Sequence, residues 1–236
     1  MLIKVAGLVA DLKNRFKYTE DFCRDYEVFG VKPDFTAYVS DEVLKQKMAD
    51  NPEYSDGYIE CLELYRIICR KALSYGAMIM HCAAVCMEGR AYLFTAVSGT
   101  GKTTHINLWK KRFGERCRVV NGDKPLIRKI DGKFYVCGTP WQGKENYGEN
   151  MTVPIGGICI LERGEKNVIE RISPAEAIPT MLVQTLRTND EGEMDKLLDL
   201  IDRLLKSVPF YRLKCNMNED AAQVSYDKMR GGCDAF

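Results

Sequence analysis

The chain has 236 residues, with 34 Lys and Arg against 33 Asp and Glu, a formal net charge of +1. That balance argues against a protein built to grip nucleic acid or an anionic membrane, since both tasks need a cationic excess. A hydrophobic share of 46% with 28% charged residues is globular composition, and the length suffices to bury a core without metal or disulfide staples.

Residues 2–12 alternate as a strand, with Gly7 marking a bulge or turn. Residues 18–30 mix aromatic and charged side chains and give no clear period. VKPDFTAYVS, at 31–40, reads as a second strand that Pro33 confines to an edge or a start. Ser40 opens a short helix to Ala49, with Asp41 and Glu42 at its positive end. After the turn cluster DNPEYSDG, Ile59, Leu62, Leu64, Tyr65, Ile68, Cys69 and Leu73 recur at helical spacing over 58–74. Residues 1–76 are therefore expected to form a small α+β subdomain packed on a core of residues 77–236.

In the core, MIMHCAAVCM, the turn EGR with Gly89, and AYLFTAV read as strand, hairpin and strand. A glycine-rich turn and a helix, TTHINLWKKRFG, follow. CRVV, KPLIRKI, KFYVCG and VPIGGICILER supply further strands, with Asp131-Gly132 as a tight turn. Ser173 and Glu176 make a capping pair for a helix over 174–186. Met194, Leu197, Leu198, Ile201, Leu204 and Leu205 stripe an amphipathic helix over Glu193–Ser207. PFYRLKC is the last expected strand, before a polar tail expected to fray. The fold class that follows is α/β, a mixed β-sheet flanked by helices.

No run approaches the roughly 18 consecutive apolar residues of a spanning helix, and the start lacks the long apolar segment and cleavage site of a signal peptide. Ten cysteines are many, yet Cys82, Cys86, Cys137 and Cys159 sit among apolar residues and no CxxC pair occurs. They are expected to be buried free thiols in a cytoplasmic protein, with neither a structural zinc site nor a disulfide framework.

The sharpest motif is AVSGTGKTT, Ala96 to Thr104, which matches the phosphate-loop pattern G-x-x-x-x-G-K-[ST] at every defined position but the first glycine, here Ala96. Gly99 and Gly101 let backbone amides approach a phosphate chain, and the helix that follows favours an anion at its start. Ser98, Gly99, Thr100, Gly101, Lys102, Thr103 and Thr104 are the expected nucleotide-binding set. Lys102 reaches the β- and γ-phosphates, and Thr103 can ligate Mg²⁺.

A kinase also needs a metal-holding acid and a group to deprotonate the attacking hydroxyl. Asp123 in VVNGDKPLI ends a strand as such an acid would, although NGD is equally a turn signal. His81 is read as a catalyst or a packed strand residue, and His105 as a solvated helix residue. The loop GTPWQGKENYGEN, at 138–150, offers Trp141 and Lys144 as an acceptor site. Arg163 and Arg187 are further cations able to meet phosphate or substrate.

The order of these motifs (MHCAAV, EGR, SGTGKTT, VVNGD) resembles the catalytic domain of HPr kinase/phosphorylase, in the phosphoenolpyruvate-carboxykinase-like group of P-loop proteins. The resemblance covers roughly residues 78–163 and extends loosely to about 187. It implies that fold, with His81 as the family histidine, Lys102 and Thr103 in the loop, and Asp123 as the second member of an aspartate pair. It also implies that such proteins assemble into homo-oligomers. The family's first aspartate is Gly122 here, and its glutamate-and-arginine signature is replaced by VPIGGICI, which argues against HPr itself as the acceptor. The expected function is an ATP- and Mg²⁺-dependent kinase, with Lys102, Asp123 and His81 as catalytic residues. Its acceptor is expected to be a hydroxyl of a small molecule or peptide, held by Trp141, Lys144 and Arg187. The rival expectation is a nucleotide-binding switch or assembly module with little transfer.

Overall fold

The computed structural model of the protein describes residues 1–232. The chain opens with a three-stranded sheet, β1 (Leu2–Val5), β2 (Leu8–Leu12) and β3 (Phe35–Ala37), and helices α1 (Lys17–Cys23), α2 (Asp41–Asp50) and α3 (Asp56–Ala72). The strand expected over 2–12 is a hairpin. Ala6 and Gly7 both take positive φ, 51° and 74°, the two-residue turn whose twist matches paired strands. The strand expected over 31–40 contracts to three residues parallel to β2, because the Asp34 carboxylate takes the Val9 N–H at 2.7 Å ahead of it. Ser40 and Ser55 cap α2 and α3 through their side chains.

The larger sheet has nine strands: β4 (Ala77–Ile79), β5 (Ala83–Met87), β6 (Arg90–Thr95), β7 (Arg118–Asn121), β8 (Leu126–Ile130), β9 (Lys133–Cys137), β10 (Thr152–Arg163), β11 (Val168–Ile172) and β12 (Phe210–Cys215). Their order is β4-β8-β9-β10-β6-β5-β7, with β12 also paired to β10 and β11 beyond it. The 12-residue β10 is the organiser. Its start pairs antiparallel with β9, its later half runs parallel to β12, and β6 lies parallel along its other side. The sheet is mixed, as the hairpin-like junctions require.

Helices α4 (Lys102–Phe113), α5 (Pro174–Gln184), α6 (Glu191–Ser207) and α7 (Asp220–Arg230) cover the two faces. Successive strand residues serve opposite layers. Leu93, Ile158 and Phe210 pack with α5 and α6, whereas Phe94, Cys159 and Tyr211 pack with α4 and α7. Burial on both faces explains why these strands read as continuous apolar runs. A third cluster joins α3 and β1–β2 to Leu126, Cys137 and Trp141, so residues 1–72 are packed directly on the β8–β9 end of the large sheet.

Three expectations fail here. The tail after β12 is not frayed over its described residues, 216–232, for α7 buries Ala221, Ala222, Tyr226 and Met229 against α4, and Ser225 accepts the Trp109 indole N–H at 3.0 Å; residues 233–236 lie outside the described residues. His105 is not solvated but 3% exposed, with Nε2 accepting from the same indole at 3.1 Å, and burial pushes its imidazole down to about 3. His81 is not on a strand, because the run MIMHCAAVCM breaks between β4 and β5 and leaves it in the gap. β11, unforeseen, pairs with β12 at the sheet edge. The nine described cysteines are free thiols, and no described helix is long and apolar enough to cross a membrane.

Candidate functional site

The gap between β4 and β5 is pinned by four hydrogen bonds, one of them from the Met80 N–H to the Pro125 carbonyl at 3.3 Å. The His81 N–H donates to the Gln184 carbonyl at 2.7 Å, Thr95 Oγ1 donates to the His81 carbonyl at 3.0 Å, and the Cys82 N–H donates to the Asp123 carbonyl at 3.1 Å. The histidine ring is thereby held over the end of β7. There Nε2 lies 2.9 Å from Asp123 Oδ1, while Oδ2 meets the Lys124 ammonium.

Asp123 owes its position to Asn121, fully buried at the end of β7. The Asn121 side-chain oxygen accepts the backbone N–H of Asp123 at 2.9 Å and of Lys124 at 2.8 Å, the geometry of an Asx turn. Its Nδ2 donates to the Thr139 carbonyl and hydroxyl, both at 3.1 Å. Thr139 Oγ1 and the Tyr65 hydroxyl both donate to the Lys124 carbonyl, at 2.8 and 2.6 Å. The sequence NGD is therefore a turn, and the same turn sets Asp123 beside His81. Burial pushes the Asp123 carboxyl up, but the hydrogen bonds from His81 and Lys124 outweigh it and hold the group at about 2.

Residues 96–101 connect β6 to α4. Gly99 (φ 79°) and Gly101 (φ 121°) take conformations that side chains resist, and a Cβ at Gly99 would meet nothing within 4 Å. No side chain caps the start of α4, which leaves its first amides free to face an anion. The Lys102 ammonium curls back to the Ala96 carbonyl at 3.3 Å. Burial pushes that ammonium down against the pull of Asp123. Arg163 donates to the Gly99 carbonyl at 2.8 Å.

One cavity of about 700 Å³ lies between the 96–101 loop and Asp123. His81, Asp123, Ser98, Gly99, Gly101, Lys102, Thr103 and Thr104, all expected at the site, border it together. Thr100 belongs to the same loop, its N–H donating to the Val97 carbonyl at 3.1 Å. Lys144 also borders the cavity, exposed in the 142–146 loop. Trp141 is at its wall but is a packing residue, 3% exposed and stacked on Tyr65 with ring centroids 3.9 Å apart. Arg187 is not there at all. It lines a different cleft, between α2, α3 and the segment after α5.

The unanticipated wall comes from the N-terminal region: Tyr18 and Phe22 of α1, and Tyr58 and Leu62 of α3. Glu60, fully buried, sets α1 in place by accepting the amides of Arg15 and Phe16 at 2.9 and 3.1 Å. The signal that could have found it is the aromatic content of 18–30 beside a helix that carries a buried acid.

Gly122, where the resemblance expects an aspartate, has no room for a side chain. A Cβ there would lie 2.7 Å from the Gln142 carbonyl oxygen and 3.2 Å from that of Tyr147. The 138–150 loop lies over this position, tied to β7 by the Glu149 N–H donating to Val120 at 3.2 Å.

A divalent cation can be tested against these residues. No described group of three or more His, Cys, Asp or Glu could hold a metal by itself. Mg²⁺ needs no such group, since it is held through one or two protein oxygens plus waters and substrate phosphates. The Asp123 carboxylate, bonded to His81 and Lys124, and the Thr103 hydroxyl border the same cavity and are the protein oxygens that would hold it.

No family model matches this sequence, and no curated protein does. Among solved structures, the chain is similar to the Hpr(Ser) kinase/phosphatase from Coxiella burnetii, at 7% identity over 64% of this chain and 95% of that one, with a TM-score of 0.36. A likeness of that size is a weak one of fold, and the chemistry below rests on the cavity alone.

Proposed function

We propose that the protein is a kinase that moves the terminal phosphoryl group of ATP to a hydroxyl of a small molecule or peptide. The observation that carries this reading is the meeting, in one cavity, of the His81–Asp123 pair with Lys102 and the open amide end of α4. The amides at Gly99–Thr103 and the Lys102 ammonium cradle the phosphates. When bound, Mg²⁺, held by Thr103 and Asp123, supplies charge neutralisation at the β- and γ-phosphates. Asp123 at 2.9 Å fixes the proton on His81 Nε2, which leaves Nδ1 as the basic nitrogen for an acceptor hydroxyl. Lys144 and the aromatic wall from α1 and α3 flank the acceptor, with Trp141 behind them as support.

The test is transfer of labelled γ-phosphate from ATP-Mg²⁺ to a panel of hydroxyl metabolites and Ser-, Thr- and Tyr-containing peptides. Lys102→Ala abolishes nucleotide turnover and stays folded. Wild-type turnover in that variant refutes the cradle. A switch is the second reading, favoured by Gly122, which leaves a single carboxylate where the resemblance expects two. Nucleotide binding with no transfer to any acceptor selects it.

A further inference from the structure

The cleft that contains Arg187 has a volume of about 780 Å³, within the range of small-molecule sites. Four cations, Lys47, Arg66, Arg70 and Arg187, border it against two carboxylates, Glu63 and Asp190. Arg66 is paired with Glu63 and Arg70 with Glu193, each at 2.7 Å. Lys47 and Arg187 have no ion pair and no side-chain hydrogen bond among the described residues. In a chain whose net charge is only +1, this is a local concentration of positive charge facing a concavity. Val43, Ile67 and Leu186 add apolar surface that lowers the local dielectric and strengthens attraction for an anion.

The same segment that carries Arg187 reaches the first cavity. Gln184 accepts the His81 N–H through its carbonyl at 2.7 Å, and its Nε2 donates to the Ala96 carbonyl at 3.3 Å. Two residues on, Leu186 packs into the N-terminal core. Thr188 then donates to Glu193 at 2.8 Å, the carboxylate that also holds Arg70 of α3. Arg187 and Thr188 thus lie three and four residues beyond Gln184, whose contacts reach the histidine and the start of the 96–101 loop.

We propose that this cleft is a second ligand site, for a small anion bearing two or more negative charges, and that its occupancy is transmitted to the first cavity through residues 184–188. The binding half is independent of the kinase reading; the transmission half rests on nucleotide occupying the first cavity.

The experiment is calorimetric titration of the full chain with citrate at low salt and fixed free Mg²⁺, with glycerol as the uncharged control. Wild type and Lys102→Ala bind citrate alike, whereas Lys47→Ala/Arg187→Ala weakens it by about tenfold or more, the scale of one lost charge-assisted hydrogen bond. Should the double variant fail to fold, Lys47→Gln and Arg187→Gln singly carry the same expectation. Absence of citrate binding, or binding lost in Lys102→Ala and kept in the double variant, overturns the site. Saturating citrate then shifts the affinity for a fluorescent ATP analogue by about threefold or more, and by linkage the nucleotide shifts citrate by the same factor. Unchanged nucleotide affinity with citrate bound overturns the transmission. Failure of nucleotide to bind in citrate-free buffer overturns the transmission together with the kinase reading, and so is told apart from a failure of coupling alone.

Discussion

Replacing Asp123 with Asn removes one charge at nearly constant shape, and the structure sets the size of the effect. The carboxyl is held at about 2 against an ordinary 3.8, because the hydrogen bonds from His81 and Lys124 more than offset the burial that opposes its charge. At about 1.36 kcal/mol per pH unit, this amounts to about 2.4 kcal/mol of folding stability. A carboxyl whose folded value is depressed contributes fully above its unfolded value and loses the contribution as pH falls towards the folded one. Asp123→Asn is therefore about 2 kcal/mol less stable at pH 7, measured by urea unfolding. The gap to wild type narrows from pH 4 downward and closes near pH 2. The Asn amide also faces Lys124 with its positive end, which adds to the loss at neutral pH. Transfer, if the kinase reading holds, falls by about a hundredfold or more, since the negative charge beside His81 and the proposed Mg²⁺ position is lost while the amide oxygen still accepts from Nε2. A gap that does not change between pH 7 and pH 3 refutes the assignment of His81 and Lys124 as the cause.

Other substitutions separate packing from chemistry. Trp141→Ala costs about 3–5 kcal/mol in urea unfolding, because a 3%-exposed indole is removed from a stack on Tyr65; a loss below about 1 kcal/mol returns it to the acceptor contacts. Gly122→Ala costs on the order of 1–3 kcal/mol through its clash with the Gln142 carbonyl, so Gly122→Asp destabilises without adding a working base; a stable, more active Gly122→Asp contradicts this. Tyr18→Ala, on the 39%-exposed cavity wall, raises the acceptor KM with little change in thermal midpoint, and an unchanged KM removes α1 from the acceptor site.

The sequence carried the local features well. Ser40, the Ser173–Glu176 box and the Asp131-Gly132 turn are each settled by a few neighbouring residues, and each stands as expected. The glycine turn between β6 and α4 was legible for the same reason, since the residues that shape it lie within nine consecutive positions. What could not be read depends on distant partners. His105 looks solvated until α7 is laid over α4, and nothing in the polar pattern of 216–232 announces that α7 buries alanines and a methionine. Trp141 resembles a ligand contact in a Gly-rich loop, and only the arrival of Tyr65, far away in sequence, turns it into core. Arg187 lies shortly after α5 and was free to point either way.

The same dependence explains the departure at residue 122. In an open cradle, a second carboxylate beside Asp123 would face solvent and substrate. Here the 138–150 loop crosses that position with backbone carbonyls at 2.7 and 3.2 Å from any Cβ, and α1 and α3 close the adjoining side with aromatic rings. Any side chain at 122 would start against two carbonyl oxygens, so the loop or the residue would have to shift to admit it. Glycine is thus what the crossing loop requires. The loop that crosses residue 122 also forms part of the cavity wall, and on that wall the His81–Asp123 pair stays open to the cavity.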